Sequence, residues 1–312
     1  MTVTRTPPTI ATLILLTGAT TLSLNMFLPS LVNIAAEFDA NYALVSTSIA
    51  GYLVMTAVLQ VIIGPLSDRF GRRPVMLWAV AIFAAASVGC LFAQDIWTFL
   101  VCRMAQGAII TGRALARVIV RDTRDPAEAV GLLGYISMAM AIAPMLRPMV
   151  GSVLDEFLGW RASFALYTLI GFALIALVWV DLGETNAAPS ATFGHQFAAW
   201  PDLMRSGAFW AYSSCITFST GAFFAFIAGV PLVASTFFDI SPGVLGVYMG
   251  SITGGFFCGS FVAARMAKRV APLIMMITGR IFVCAVLAGG LILFIFGVTH
   301  EFALFGATIS SA

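Results

Sequence analysis

The chain has 312 residues, of which 60% are apolar and only 10% are charged, and its formal net charge is +2. Soluble domains carry about 25% charged residues, so this composition excludes a water-soluble globular fold and indicates a protein whose solvent is lipid. The five cysteines fall inside apolar runs without a CxxC or metal-ligand spacing, which favours packing roles over a metal site.

Nine apolar segments are each long enough to cross a bilayer as a helix, which takes roughly 20 residues. A tenth begins near residue 300 and is too short to cross before Ala312, so we expect a chain truncated in its tenth helix. The first run is too long for the core of a signal peptide, and we expect it to be retained. The pattern predicts an all-α polytopic membrane protein with spans at 9–34, 43–66, 75–93, 96–119, 130–154, 161–181, 206–235, 241–265 and 272–297.

Basic and acidic residues alternate between the loops that connect these segments. Because Lys and Arg mark the cytoplasmic loops of membrane proteins, the basic set predicts a cytoplasmic N-terminus. The basic loops contain Arg5, Arg69, Arg72, Arg73, Arg121, Arg124, Arg205, Arg265, Lys268 and Arg269. The opposite loops contain Glu37, Asp39, Asp95, Asp155, Glu156, Asp239 and Glu301, with Arg161 as their only basic residue.

Two basic loops form a weak internal repeat: residues 68–74 read DRFGRRP and residues 264–270 read ARMAKRV. Each follows one apolar segment and precedes another, although two unrelated basic loops would look similar. The repeat predicts an N-terminal six-helix bundle over residues 1–181 and a cytoplasmic linker over 182–205. An incomplete C-terminal bundle, of three helices and part of a fourth, is predicted over 206–312.

The most specific string lies between the second and third segments and reads GPLSDRFGRRP, from Gly64 to Pro74. We expect Gly64 to allow the close approach of a neighbouring helix and Gly71 to permit a tight turn. Asp68 is expected to cap helix ends and to bind the arginines beside it. Arg72 and its basic neighbours lie where anionic lipid and helix C-termini favour cations.

Five further strings are distinctive: RMAQG at 103–107, ALARVIVRD at 114–122, APMLRPMVG at 143–151, GWR at 159–161 and LGET at 182–185. Together with GPLSDRFGRRP they resemble signatures of the major facilitator superfamily, and in particular of its Bcr/CflA branch of bicyclomycin and chloramphenicol resistance pumps. The resemblance covers about residues 22–185, and the second half matches in topology more than in letters.

The resemblance implies a major facilitator fold, with two six-helix bundles around a central cavity that opens alternately to each side of the bacterial inner membrane. It implies a monomer that exports small amphipathic drugs in exchange for protons, without a cofactor. A truncated, non-transporting membrane remnant is the alternative. No nucleophile triad, P-loop or metal spacing indicates an enzyme, and the basic residues are spread over separate loops, which argues against nucleic-acid binding.

Three groups of residues take roles from this resemblance. The predicted cavity and coupling residues are Asn25, Arg103 and Gln106. The predicted conformational gating motif is Gly64, Asp68, Arg69, Gly71, Arg72 and Arg73. The predicted helix bend of the antiporter motif is Pro144, Arg147, Pro148 and Gly151, in which Arg147 departs from the small residues that the motif favours.

Arg103, Arg113 and Arg147 sit well inside the segments, whereas all fourteen carboxylates fall in loops or at segment ends. Arg103 and Asn25 lie at similar depth, so we expect them to face each other, with Asn25 accepting a hydrogen bond from Arg103. The alternatives are that Arg103 holds helices together through backbone carbonyls and that Asn25 is a packing residue. Arg113 and Arg147 either snorkel towards the membrane surface or line the cavity and bind anions.

Asn25 is the main departure from the Bcr/CflA pattern, in which an Asp is common at this position. A carboxylate beside an arginine can exchange a proton, whereas an amide cannot titrate. We therefore expect that proton coupling is altered or lost at Asn25. The alternative is that the proton-coupling role has moved to the substrate or to a boundary acid such as Asp155 or Glu156.

Overall fold

The computed structural model describes residues 8–125, 149–186, 204–237, 243–249 and 272–296, which form helices joined by short loops, with no strand in these ranges. The other described residues, all helical, are 128, 129, 132, 133, 136, 251, 255 and 259. The all-α prediction is confirmed for this part of the chain. Most of the fifth and eighth predicted segments, the linker, the second basic loop and the tenth segment lie outside the described residues.

The first predicted segment is a broken helix, made of α1 (Ile10–Asn25), a 3-10 turn (Leu28–Ser30) and α2 (Leu31–Glu37). Pro29 has no N–H group to donate to the carbonyl of Asn25, so one bond of a regular helical ladder is missing at the turn. The break leaves the last carbonyls of α1 without the partners that a continuous helix would supply.

The second and third segments meet in the predicted tight turn at Gly71, whose φ of +96° confirms it. The fourth segment is broken by a 3-10 turn, as the first one is. These elements are α3 (Tyr42–Phe70), α4 (Arg72–Leu91), α5 (Ile96–Ala105), the 3-10 turn (Gln106–Ile109) and α6 (Ile110–Thr123).

The helices from residue 149 onwards complete the described part of the first half and begin the second half of the chain. Five helices in the described part are long and apolar enough to cross a membrane, and large side chains such as Trp78 and Phe218 are exposed on their surfaces. The remaining elements are α7 over residues 149–158, α8 (Arg161–Asp181), α9 (Gly207–Phe237), α10 over residues 243–249 and α11 (Pro272–Ile295).

Aromatic rings fill the core of the first half where α2, α5 and α8 meet. Trp160 and Phe164 pack edge to face with ring centroids 5.6 Å apart, and Phe99 contacts both rings. Tyr167 extends the cluster and donates a hydrogen bond of 3.1 Å from its hydroxyl to the carbonyl of Leu22 in α1. Offset and edge-to-face rings stabilise a core beyond their buried area, so this cluster holds α1 and α8 in a fixed relation.

The helix bundle has two ends. The motif end contains residues 66–73, 119–124 and 181–186, and the opposite end contains residues 37–42 and 155–161. At the opposite end the two halves of the chain touch, because the hydroxyl of Tyr42 donates a hydrogen bond to the carbonyl of Ala228 in α9. Several apolar residues of the second half are also buried: Ile227, Val230, Ala234, Leu245 and Met249.

Candidate transport site and gating motif

Arg103 is fully buried in the last turn of α5. One terminal nitrogen of its guanidinium donates to the carbonyl of Ser23 at 2.6 Å and to that of Leu24 at 3.2 Å. These carbonyls belong to the last turn of α1, where the negative end of the helix dipole favours a cation. The arginine thereby donates hydrogen bonds to carbonyls near the break after α1. This agrees with the alternative that Arg103 holds helices together through backbone carbonyls.

Gln106 connects Arg103 to a third helix. Its side-chain oxygen accepts a hydrogen bond of 2.6 Å from Arg103, and its nitrogen donates to the hydroxyl of Ser87 in α4 at 2.8 Å. The guanidinium also lies over two rings, with its carbon 4.1 Å from the centroid of Phe27 and 4.6 Å from that of Tyr52. Such contacts stabilise a desolvated cation, and no carboxylate pairs with Arg103 among the described residues.

Asn25 ends α1 and is 7% exposed. The hydrogen bond that we expected it to accept from Arg103 is not formed, because its side-chain oxygen has no hydrogen-bond partner in the described part of the chain. That prediction was wrong because the guanidinium reaches the carbonyls of the two preceding residues instead. Asn25 therefore follows the two residues that accept from Arg103 without itself accepting a side-chain hydrogen bond from it.

Gly151 packs against the break that follows α1. A Cβ built at this position would overlap the carbonyl of Met26, so only glycine fits. The contact agrees with the small residues that the antiporter motif favours, because a small side chain lets two backbones approach closely. The other members of the predicted bend, Pro144, Arg147 and Pro148, lie outside the described residues.

Arg72 is the centre of the gating motif and is 7% exposed. Its guanidinium forms an ion pair with Asp68 in α3, a second with Asp122 in α6 at 3.2 Å, and a hydrogen bond of 2.5 Å to the hydroxyl of Ser67. The predicted pairing of Asp68 with the motif arginines is confirmed. One side chain thus links three helices at the motif end.

Glu184, from the LGET string, caps the N-terminus of α4. Its carboxylate accepts hydrogen bonds from the backbone N–H groups of Arg72 at 2.9 Å and Arg73 at 3.3 Å. A carboxylate here satisfies free donors and interacts favourably with the helix dipole. This capping role was predicted for Asp68 and is filled by Glu184.

Three motif residues remain. The close approach predicted at Gly64 is not seen among the described residues, since no atom of another described helix lies within 4 Å of a Cβ built there. The side chain of Arg73 donates a hydrogen bond of 2.7 Å to the carbonyl of Trp179, and its guanidinium lies over the ring of that residue. Arg69 lies over the ring of Phe70, with 5.5 Å from the guanidinium carbon to the centroid.

The opposite end carries its own polar contacts. Glu37 pairs with Arg161 and accepts a hydrogen bond of 2.5 Å from the indole N–H of Trp160. Asp155 is 6% exposed and accepts a hydrogen bond of 2.8 Å from the side chain of Asn33. Burial raises the pKa of the Asp155 carboxyl, although the hydrogen bond from Asn33 lowers it in part.

The apolar helices, the buried intramembrane arginine and the charged turn between α3 and α4 define a multi-pass membrane protein of the transporter class. The sequence model of the Major Facilitator Superfamily matches residues 13–312. The chain therefore belongs to the Major Facilitator Superfamily, whose members and fold neighbours named below are transporters and not enzymes.

Two curated relatives illustrate the similarity. The chain is 32% identical over 251 residues to the uncharacterized MFS-type transporter YdgK of Bacillus subtilis, covering 78% of this chain and 62% of YdgK. It is 26% identical over 262 residues to the multidrug transporter MdfA of Yersinia pestis, covering 83% of this chain and 64% of MdfA. The chain thus spans somewhat less than two thirds of the length of these relatives.

Solved structures share the fold at low identity. A bacterial homolog of the human lysosomal transporter Spinster, in an inward-facing and unoccupied conformation, is 16% identical with a TM-score of 0.75, covering 97% of this chain and 71% of that one. A D-xylose–proton symporter is 13% identical with a TM-score of 0.68, covering 97% and 79%. The predicted major facilitator fold is confirmed.

Proposed function

We propose that this protein is a secondary transporter of the bacterial inner membrane that exports small amphipathic compounds by alternating access, as a member of the Bcr/CflA branch. The network around Arg72 is the observation that carries the proposal. It ties α3, α4 and α6 together through Asp68 and Asp122, and Glu184 adds the segment that follows α8. A half built this rigidly moves as one body against the other half.

The motif end is proposed to face the cytoplasm, with the N-terminus on the same side, because its loops carry Arg69, Arg72, Arg73, Arg121 and Arg124. On this orientation the contact of Tyr42 with Ala228 closes the protein towards the outside. The six-helix bundle over 1–181, the linker over 182–205 and the second half are the proposed moving parts.

Protons are proposed to drive export. Asp155 is the proposed proton-binding group, because the amide of Asn25 cannot titrate. Asp155 lies one helical turn after Gly151, the residue that packs on the break after α1. Its hydrogen bond to Asn33 reaches α2 on the other side of that break. A carboxyl with a raised pKa keeps its proton to higher pH, so its titration changes the contact between α2 and α7.

The test uses the purified chain in proteoliposomes with an imposed pH gradient. Movement of rhodamine 123 or of fluorescein that depends on the gradient is expected, and Asp155→Asn is expected to remove the dependence. Asp39→Asn is the matched control, because Asp39 is exposed at the same end and its φ of +46° suits asparagine. Absence of gradient-dependent movement of both dyes by the unaltered chain would contradict the proposed function.

A further inference from the structure

Three arginines form a stripe along α6, at Arg113, Arg117 and Arg121. A spacing of four residues places them on one face of the helix. Most of the buried residues of α6 lie on the other side, where the helix packs against α1, α3 and α4, whereas Ile110 and Val120 lie on the same side as the arginines. The buried residues of α6 are Ile110, Thr111, Gly112, Leu115, Ala116, Ile119 and Val120.

The stripe runs from the motif end into the interior of the span. Asp122, held by Arg72, marks the motif end of α6, and Arg113 lies nine residues before it, or about 14 Å deeper at 1.5 Å per residue. Arg113 is half-buried and Arg117 is exposed. Since charged groups at this depth face a water-filled cavity or the protein interior and not lipid, this face of α6 is directed away from the lipid.

The stripe has no anionic partner in the part of the chain that the structure describes. None of the three arginines forms an ion pair within the described residues. Asp122, the neighbouring acid, is already paired with Arg72. In the full sequence no Asp or Glu occurs between Asp95 and Asp122, or between Glu128 and Asp155. Like charges four residues apart on a helix repel each other, so an anion in the cavity would relieve an unfavourable arrangement.

An aromatic side chain lies on a helix that packs against α6. Tyr52 of α3 is buried, and its ring lies under the guanidinium of Arg103. Arg103 itself is hydrogen-bonded to the carbonyls of α1, whereas the arginines of the stripe form no ion pair within the described residues.

We infer that the transported compound is an amphipathic organic anion, with a carboxylate or sulfonate group and an aromatic body. Its charged group is bound by Arg113 after entry past Arg121 and Arg117 from the motif end. Arginine is suited to this task because its planar fork donates two parallel hydrogen bonds to a carboxylate or sulfonate. The inference rests on the proposed transport function and specifies its substrate class.

The test compares two dyes with the same xanthene ring system and opposite charge. Fluorescein, an anion, and rhodamine 123, a cation, are titrated with the purified full chain in detergent, and binding is read by fluorescence anisotropy. Fluorescein is expected to bind roughly tenfold more tightly than rhodamine 123. Arg113→Gln and Arg117→Gln are each expected to weaken fluorescein binding by roughly tenfold and to leave or improve rhodamine binding.

Two control variants separate a binding site from a general effect of charge. Arg113→Lys keeps the cation and is expected to retain much of the affinity, which also shows that the site tolerates substitution. Arg124→Gln removes a charge near the end of α6 that is paired with Glu128, and it is expected to change nothing. Equal or tighter binding of rhodamine 123, binding of neither dye, or an Arg124→Gln loss as large as that of Arg113→Gln would overturn the inference. Gradient-driven movement of rhodamine 123 in the proteoliposomes would still support export.

Discussion

The carboxylate of Glu184 lies beside Gly71, in the space that any side chain at position 71 would need. The two residues are far apart in sequence, yet the carboxylate can take this position only because residue 71 has no side chain. Glycine provides both the positive φ of the turn and the room for the carboxylate. The carboxylate then caps α4 immediately after that turn. The gating motif is therefore completed by a residue of the loop that follows the sixth predicted segment.

Gly71→Ala is expected to lower the free energy of unfolding by about 1–3 kcal/mol, because it introduces backbone strain and displaces Glu184. Thermal unfolding of the purified chain in detergent measures the change. Gly64→Ala is the matched control, since a Cβ there meets no described atom and alanine favours the helix. Equal destabilisation by both variants would contradict the role given to Glu184.

Arg103→Met is expected to prevent stable folding. It leaves the carbonyls of Ser23 and Leu24 buried without donors, at about 1–3 kcal/mol for each. Arg103→Lys keeps the charge but lacks the planar fork that reaches α1 and Gln106 together, so it is expected to be intermediate. Yield of monodisperse protein by size-exclusion chromatography measures this order. A well-folded Arg103→Met protein would show that the contacts with α1 contribute little.

Tyr42→Phe removes the hydroxyl that donates to Ala228 between the two halves of the chain. Losing this hydrogen bond is expected to shift the equilibrium towards separation at this end by about 0.5–1.5 kcal/mol. A cysteine placed at buried Ile227, in a chain whose native cysteines are changed to alanine, is then expected to react faster with a thiol reagent. Tyr212→Phe, on the exposed surface of α9, is the control. An unchanged reaction rate in Tyr42→Phe would rule out this contact as a latch.

The spans were predictable because the thickness of the bilayer fixes their length. The segment predicted at 161–181 has the bounds of α8, and the segment predicted at 272–297 differs from α11 by two residues at its end. The internal breaks were missed, because a proline or a polar residue in an apolar run does not by itself show where a helix changes to a 3-10 turn.

The partners of the charged residues were less predictable than their positions. Arg72 binds Asp122, fifty residues away, and its backbone binds Glu184, so both contacts depend on how the helices pack. The acids in ALARVIVRD and LGET, Asp122 and Glu184, were the available signals. The carbonyl partners of Arg103 had no signal of this kind, since they became available only through the break after α1.

Asn25→Asp tests whether this position can couple export to protons. The new carboxyl follows Leu24, whose carbonyl accepts from Arg103, and its ionised form would pair with that guanidinium. Dye export in proteoliposomes is expected to acquire a steeper pH dependence, because the carboxylate forms as pH rises and is protonated as pH falls. Asn25→Ser, which is polar but does not titrate, is the control.

The same variant bears on the substrate class, because a carboxylate near Arg103 lowers the positive potential that the stripe on α6 creates for an anion. Fluorescein binding is therefore expected to weaken in Asn25→Asp and to remain unchanged in Asn25→Ser. If both the pH profile and the dye affinity stay unchanged, Asn25 is a packing residue at the end of α1. Proton coupling then depends on a group elsewhere in the chain, for which Asp155 is the proposed candidate.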